Sequence, residues 1–176
     1  IEALTADLGG MQLSANGTLS NLQEASPAVQ LAATLQSVKP EHVSVFWPPS
    51  LAPLTREWIV DNITGGQVPD VQVKLDIKPG DLAKPVLPRE AIDAVIALDG
   101  VQIRYLPDHP PVTHVKGRVH VDGLSLKAEI DSASYLTGTR LSGGQVGIYD
   151  LNADNPYITV GLKAEAPAKD IVHFLG

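Results

Sequence analysis

The sequence of 176 residues is 44% hydrophobic and 19% charged, with a formal net charge of −7 and a pI near 5.1. That balance is too apolar for a disordered chain, and without any run of Lys or Arg it offers phosphate backbones no footprint, which excludes nucleic acid as a partner. With no cysteine there are no disulfides or thiolate metal sites, and aliphatic stretches such as Val95-Ile96-Ala97-Leu98 fall far short of the ~20 residues of a membrane-spanning helix.

The chain begins at Ile1 without Met or a basic-then-apolar leader, so it is expected to be a piece of a longer protein. Turn signals punctuate it at Gly9-Gly10, Asn16-Gly17, Gly65-Gly66, Asp99-Gly100, Asp122-Gly123 and Gly143-Gly144. Between them, period-two alternation dominates, as in antiparallel strands with one dry face. Helical spacing is convincing only over residues 51–63, where Leu54 and Trp58, and likewise Ile59 and Ile63, stand four apart. Ser50 suits the N-cap and Gly65 or Gly66 the left-handed end, which predicts an amphipathic helix of about three turns whose Leu54, Trp58, Ile59 and Ile63 side packs on one end of the sheet.

Val71, Val73, Leu75 and Ile77 alternate with Gln72, Lys74 and Asp76. Residues 92–105 suggest a hairpin broken at Asp99-Gly100, or one that opens as a short helix at 89–94. Val115, Val119 and Val121, then Leu124, Leu126, Ala128 and Ile130, frame Asp122-Gly123, predicting a hairpin over 115–130 with a two-residue type I′ turn. Ile158, Val160, Leu162 and Ala164 alternate last, ahead of a second short helix at 168–175. Internal similarity is weak but repeated. Alternating strands run into Lys39-Pro40, Lys78-Pro79 and Ala166-Pro167, and Gly-Gly-Gln-Val occurs at 65–68 and 143–146; a true repeat implies stacked units of one sheet.

Phe46-Trp47-Pro48-Pro49-Ser50-Leu51-Ala52-Pro53, followed by Arg56, Glu57 and Trp58 and closed by Gly65-Gly66, resembles the aromatic-Pro-Pro-Ser-Leu-Ala-Pro signature of AsmA-like proteins of the YhdP and TamB kind. Residues 99–107 and 110–117, Gly144-Gln145-Val146 and the closing segment 170–175 are similar to later stretches of the same family domain, so the likeness covers most of the chain from about residue 30 onward. The resemblance implies a large protein of Gram-negative bacteria, anchored in the inner membrane by a helix outside this chain and reaching across the periplasm. It also implies a long, twisted, groove-shaped sheet whose apolar face holds phospholipid or other acyl chains on their way to the outer membrane, with no catalytic residues to carry over. Alternation by itself fits an ordinary β-sandwich equally well.

Chemistry-bearing residues take the bland reading. Six residues of strand put His114 and His120 about 20 Å apart, which defeats a shared metal, and no Gly-x-Ser-x-Gly elbow, phosphate loop or His-Glu-x-x-His run is present. Carboxylates such as Asp76, Glu129, Asp131 and Asp150 sit on polar faces or in turns, Phe46, Trp47 and Trp58 suggest a local mini-core, and the tyrosines are given no role.

The sequence therefore predicts a mainly β, antiparallel, twisted, half-open sheet of repeated hairpins with one amphipathic helix and a short C-terminal one, a single fragment over 1–176 with sub-units divisible at 66/67. No catalytic residue, cofactor or metal is expected. The candidate lipid-groove residues are Val71, Val73, Leu75, Ile77, Val115, Val119, Val121, Leu124, Leu126, Ile130, Ile158, Val160 and Leu162. An apolar face of this size must be covered by something, because exposed patches beyond a few hundred Å² are rare. The alternative function is a scaffold that binds envelope proteins through its sheet edges.

Overall fold

The computed structural model describes residues 3–23, 26–46, 53–84, 86–136, 138–151 and 157–166. Alternation resolves into ten strands: β1 (Leu4–Asp7), β2 (Gln12–Ser20), β3 (Ala28–Val38), β4 (Ile63–Thr64), β5 (Val68–Ile77), β6 (Ile92–Ile103), β7 (Val112–Val121), β8 (Ser125–Tyr135), β9 (Thr139–Tyr149) and β10 (Tyr157–Glu165). Two helices, α1 (Val43–Phe46) and α2 (Pro53–Asn62), fall in the connection between β3 and β4. The strands form one antiparallel sheet, open and uncurled, in the order β1-β2-β3-β5-β6-β7-β8-β9-β10. Each strand neighbours its predecessor except around β4: β5 pairs back to β3, and β4 pairs with β6 at Ile63↔Ile103 and Thr64↔Gln102 and so prolongs the line of β5 along the same partner.

Residues directly opposite in an antiparallel pair share a face, so the register fixes which side chains meet. Leu35 stands opposite Val71, Val71 opposite Ile96, Ile96 opposite Val119 and Val119 opposite Ala128. The apolar members of every strand stay in phase, because a one-residue slip anywhere would send a whole strand's aliphatics to the other side.

A line of irregularities crosses the sheet. Ser37, Gly100 and His114 take left-handed φ of 59°, 72° and 53°. Register shifts fall between Asp99 and Val101, between Thr113 and Lys116, and between Leu162 and Ala164. Both copies of Gly-Gly-Gln-Val lie on or beside this line, one joining β4 to β5 and the other inside β9, and each hands its strand on with Gln on the polar side and Val on the apolar side. Bulges bend a strand and strengthen its twist. The buried cluster of Met11, Val38, Val68, Leu98, Val101, Val115, Ala133 and Leu141 gathers at this end, with Ile63, Ile103 and Val112 packed against it. Tyr135, fully buried, also lies here, and the rings of Tyr105 and His109 dock the β6–β7 loop beside it, with centroids 6.5 Å (Tyr105–Tyr135) and 5.8 Å (Tyr105–His109) apart. Burial first, then the neighbouring Tyr135 hydroxyl, pushes the Tyr105 phenol above its ordinary range.

Several local expectations need correcting. Asn16-Gly17 lies inside β2, Gly143-Gly144 inside β9, and Asp99-Gly100 is a bulge within a continuous β6 rather than the tip of a hairpin. The short helix considered at 89–94 is a single 3-10 turn, Arg89–Ala91, before β6 begins. The 115–130 hairpin forms, but Gly123 and Leu124 hold the turn centre. Asp122 precedes them, and its Oδ1 accepts from Ser125 N at 2.9 Å and Ser125 Oγ at 2.6 Å. The helix forms over Pro53–Asn62, one residue short of its expected end at 63; residues 51–52, like the C-terminal helix at 168–175, lie outside the described residues. Ile63 has left the helix for β4 and joins the core from there, while Trp58 is 39% exposed. Of the predicted packing side, Trp58 is thus largely exposed and Ile63 packs from a strand instead of the helix.

Gly66 has φ +67°, and an added Cβ would strike the Gly100 carbonyl and Val101 nitrogen where β4 and β5 join along β6. Gly66→Ala is expected to cost about 1–3 kcal/mol, seen as a lower urea midpoint with an unchanged slope.

Two carboxylates clasp loops at the opposite end of the sheet. The Lys84 ammonium, then the Lys78 N–H, hold Asp81 below the ordinary carboxylate range. Burial works against the charge on Asp122, yet the Ser125 donors and Arg89 prevail and its pKa is also lowered. A depressed folded pKa adds stability that is complete above the unfolded value near 3.8 and is lost as pH falls through the folded one. The urea midpoint should fall on acidification below about pH 4, and an Asp81→Asn, Asp122→Asn variant should show a flatter decline over the same window.

Candidate functional site

Two rows of side chains cross all nine strands of the meander without a polar interruption. One is Leu4, Ala15, Ala33, Val73, Ala94, Val121, Leu126, Ile148 and Ile158; the next is Ala6, Leu13, Leu35, Val71, Ile96, Val119, Ala128, Val146 and Val160. With strands about 4.8 Å apart the stripe is about 38 Å long, longer than the ~30 Å hydrocarbon core of a bilayer.

No second layer covers this stripe among the described residues. Val71, Val73, Leu75, Ile96, Val119, Leu126 and Ile148 remain half-buried, and at the β10 edge Ile158 and Val160 are 56% and 60% exposed. Such a sheet has an apolar side available to something else.

Twelve of the thirteen candidate groove residues share this side. Val71, Val73, Leu75, Val119, Leu126, Ile130 and Leu162 form its half-covered floor, and Ile158 and Val160 its exposed margin. Ile77, Val115 and Val121 are buried, Val115 within the core cluster, so they are the least available of the set. Leu124 stands apart, half-buried in the β7–β8 turn. Sequence reasoning missed the contributions of β1, β2, β3, β6 and β9. In β6 the unbroken run Val95-Ile96-Ala97-Leu98 hides the alternation, and in β3 alanines on both faces blur it.

Of the motif residues, Phe46 closes α1, Pro53 opens α2 and Trp58 lies on its outer side; residues 47–52 lie outside the described residues. The Arg56 guanidinium donates to the Ser44 carbonyl at 2.9 Å, tying α2 to α1.

The opposite face is polar. Over β5–β8 it is charged and its side chains engage one another: Lys116 meets Asp99 at 2.8 Å and His120 meets Asp93 at 2.7 Å, in exposed pairs of small energetic weight. His114 lies at a bulge, with its Nδ1 3.2 Å from the hydroxyl of its neighbour Thr113. No group of three or more acidic or His side chains among the described residues is placed to hold a metal ion.

A family model described as YhdP protein matches residues 5–176. The chain belongs to the YhdP family. Comparisons with curated proteins and with solved structures return no match. Membership marks a bacterial envelope protein and points to a non-enzymatic module of the lipid-transport type. No helix of the described residues is long and apolar enough to cross a membrane.

The contrast between the covered and open ends of the apolar side can be measured. Val101, fully buried, should lose about 2 kcal/mol on replacement by Ala, whereas Val160→Ala at the open margin should cost under about 0.5 kcal/mol. Equal losses in urea denaturation would mean that the stripe is packed as tightly as the core.

Proposed function

We propose that this YhdP-family module holds acyl chains of phospholipid or another lipid along its apolar face and passes them between the inner and outer membranes. The observation that carries the reading is the pair of unbroken apolar rows, half-exposed and with no covering layer among the described residues. Each methylene taken from water onto such a surface contributes about 0.8 kcal/mol, so a chain of a dozen carbons lying across a few strands is held firmly without any hydrogen bond. The polar reverse face stays wetted, which suits a sheet standing in the periplasm with its membrane anchor elsewhere in a longer protein. On this reading residues 1–176 act as one β-rich segment, since the pairing runs unbroken from β1 to β10.

The scaffold reading has one observation of its own. Within β10 the first charged residue is Lys163, there is no proline, and Tyr157, Ile158 and Val160 are exposed. Such an edge is open to an added strand of another envelope protein.

Native mass spectrometry with lipid extraction, on protein purified from bacteria, separates the two. Phospholipid should accompany the parent and be largely lost from a Val73→Asp, Leu126→Asp variant that keeps its circular dichroism spectrum. An empty parent would sink lipid holding and leave the edge-binding scaffold.

A further inference from the structure

The two Asp-Gly pairs that punctuate the sequence have unlike surroundings in the fold. At Asp122-Gly123 the side chain itself is held, since Asp122 Oδ1 accepts from Ser125 N at 2.9 Å and from Ser125 Oγ at 2.6 Å. At Asp99-Gly100 the side chain is 54% exposed and tied to Lys116 Nζ in an open ion pair. There it is the main chain that is held: Asp99 N donates to the Gln67 carbonyl and Gln67 N donates to the Asp99 carbonyl, both at 2.9 Å. Gly100 is the extra residue of the bulge, where the register passes from Asp99↔Lys116 to Val101↔Val115. Its φ is +72°, and a Cβ placed on it would meet nothing within 4 Å.

An Asp-Gly bond has a reaction of its own, and glycine favours it because no side chain shields the attacking nitrogen. The Gly N bonds to the carboxyl carbon of the Asp side chain, and the carboxyl hydroxyl leaves as water with the amide proton, closing a five-membered succinimide. Water then adds at either ring carbonyl and reopens the ring, returning Asp or giving isoaspartate, whose main chain runs through Cβ. Nothing is oxidised or reduced, and the net composition is unchanged.

Ring closure needs the Gly100 nitrogen to eclipse the Asp99 Cβ. Extended backbone, with ψ of about +135°, turns that nitrogen away by roughly a quarter turn, and swinging it back carries the Asp99 carbonyl off the Gln67 N–H. We infer that Asp99-Gly100 is a latent isomerisation site held shut by the Gln67 bridge. The exposed carboxyl and the unhindered glycine in its bulge supply the reactants, so the opening of this one bridge sets the rate, without unfolding of the sheet. The product falls where the fold has little slack. Isoaspartate lengthens the main chain by a methylene beside Gly66, where even an added Cβ would strike the Gly100 carbonyl and the Val101 nitrogen. The site is independent of what the apolar face holds.

The test uses Asp99→Asn in the whole chain as a reporter, because asparagine closes the same ring with loss of ammonia and the product is read by mass after peptide mapping. Asp122→Asn, in a separate chain, is the control. Folded Asp99→Asn should deamidate at least about tenfold more slowly than the same chain in urea. Adding Gln67→Pro, which removes the donor to the Asp99 carbonyl, should raise the folded rate at least about fivefold, and Gly66→Ala, which displaces the same segment in a chain that stays folded, should raise it as well. Neither change should alter the rate at Asp122→Asn. Equal rates in the folded and urea-unfolded reporter, no rise in either bridge variant, or a parallel rise at the control position would each overturn the assignment.

Discussion

Everything in this structure depends on phase. Side chains alternate sides with a period of two, and eight successive antiparallel pairings hold that alternation in step from β1 to β10. Burial of the kind that stabilises a two-layer domain accounts for only one end of the sheet, where bulges gather Val38, Val68, Val101, Val115 and Leu141 into a core. Elsewhere backbone hydrogen bonds and cross-strand aliphatic pairs hold single strands together, and the apolar side they create is left half-open. The same property that makes the fold legible, strict alternation, makes a continuous apolar surface without any specialised pocket.

The strands with clean alternation were legible. Val71 to Ile77, Val115 to Val121, Leu126 to Ile130 and Ile158 to Leu162 all turn up as strands with their aliphatics on one side. What was hard to read were the glycine pairs. Asp99-Gly100 carries the same dipeptide signal as Asp122-Gly123, yet one is a bulge inside a twelve-residue strand and the other leads a real turn. The difference is set by partners distant in sequence: Gln67 reaches across to bond Asp99 in both directions at 2.9 Å, which keeps β6 extended through its glycine. Local propensity cannot report a bond made thirty residues away.

Glycine therefore has two jobs here that composition alone does not separate. At Gly123 it turns the chain, in close approach to the Arg89 carbonyl. At Gly66 it lets two backbones come together along β6, while Gly100 supplies the left-handed φ of the facing bulge, and together they shape the end at which the core forms. The two Gly-Gly-Gln-Val segments, in β4–β5 and β9, use the second device on strands that run in the same direction, so a weak sequence repeat has a structural counterpart even though its two copies differ in backbone angles.

The strand order has one more consequence. Because each strand touches almost only its predecessor and its successor, the sheet resembles a row of dominoes more than a ball: ordering can pass along it one hairpin at a time, with little loop entropy to overcome at each step. Such a chain can assemble in the direction in which it emerges, without waiting for its far end. The reverse also holds, for loosening that starts at an outer strand need travel no further than the next pairing strong enough to stop it.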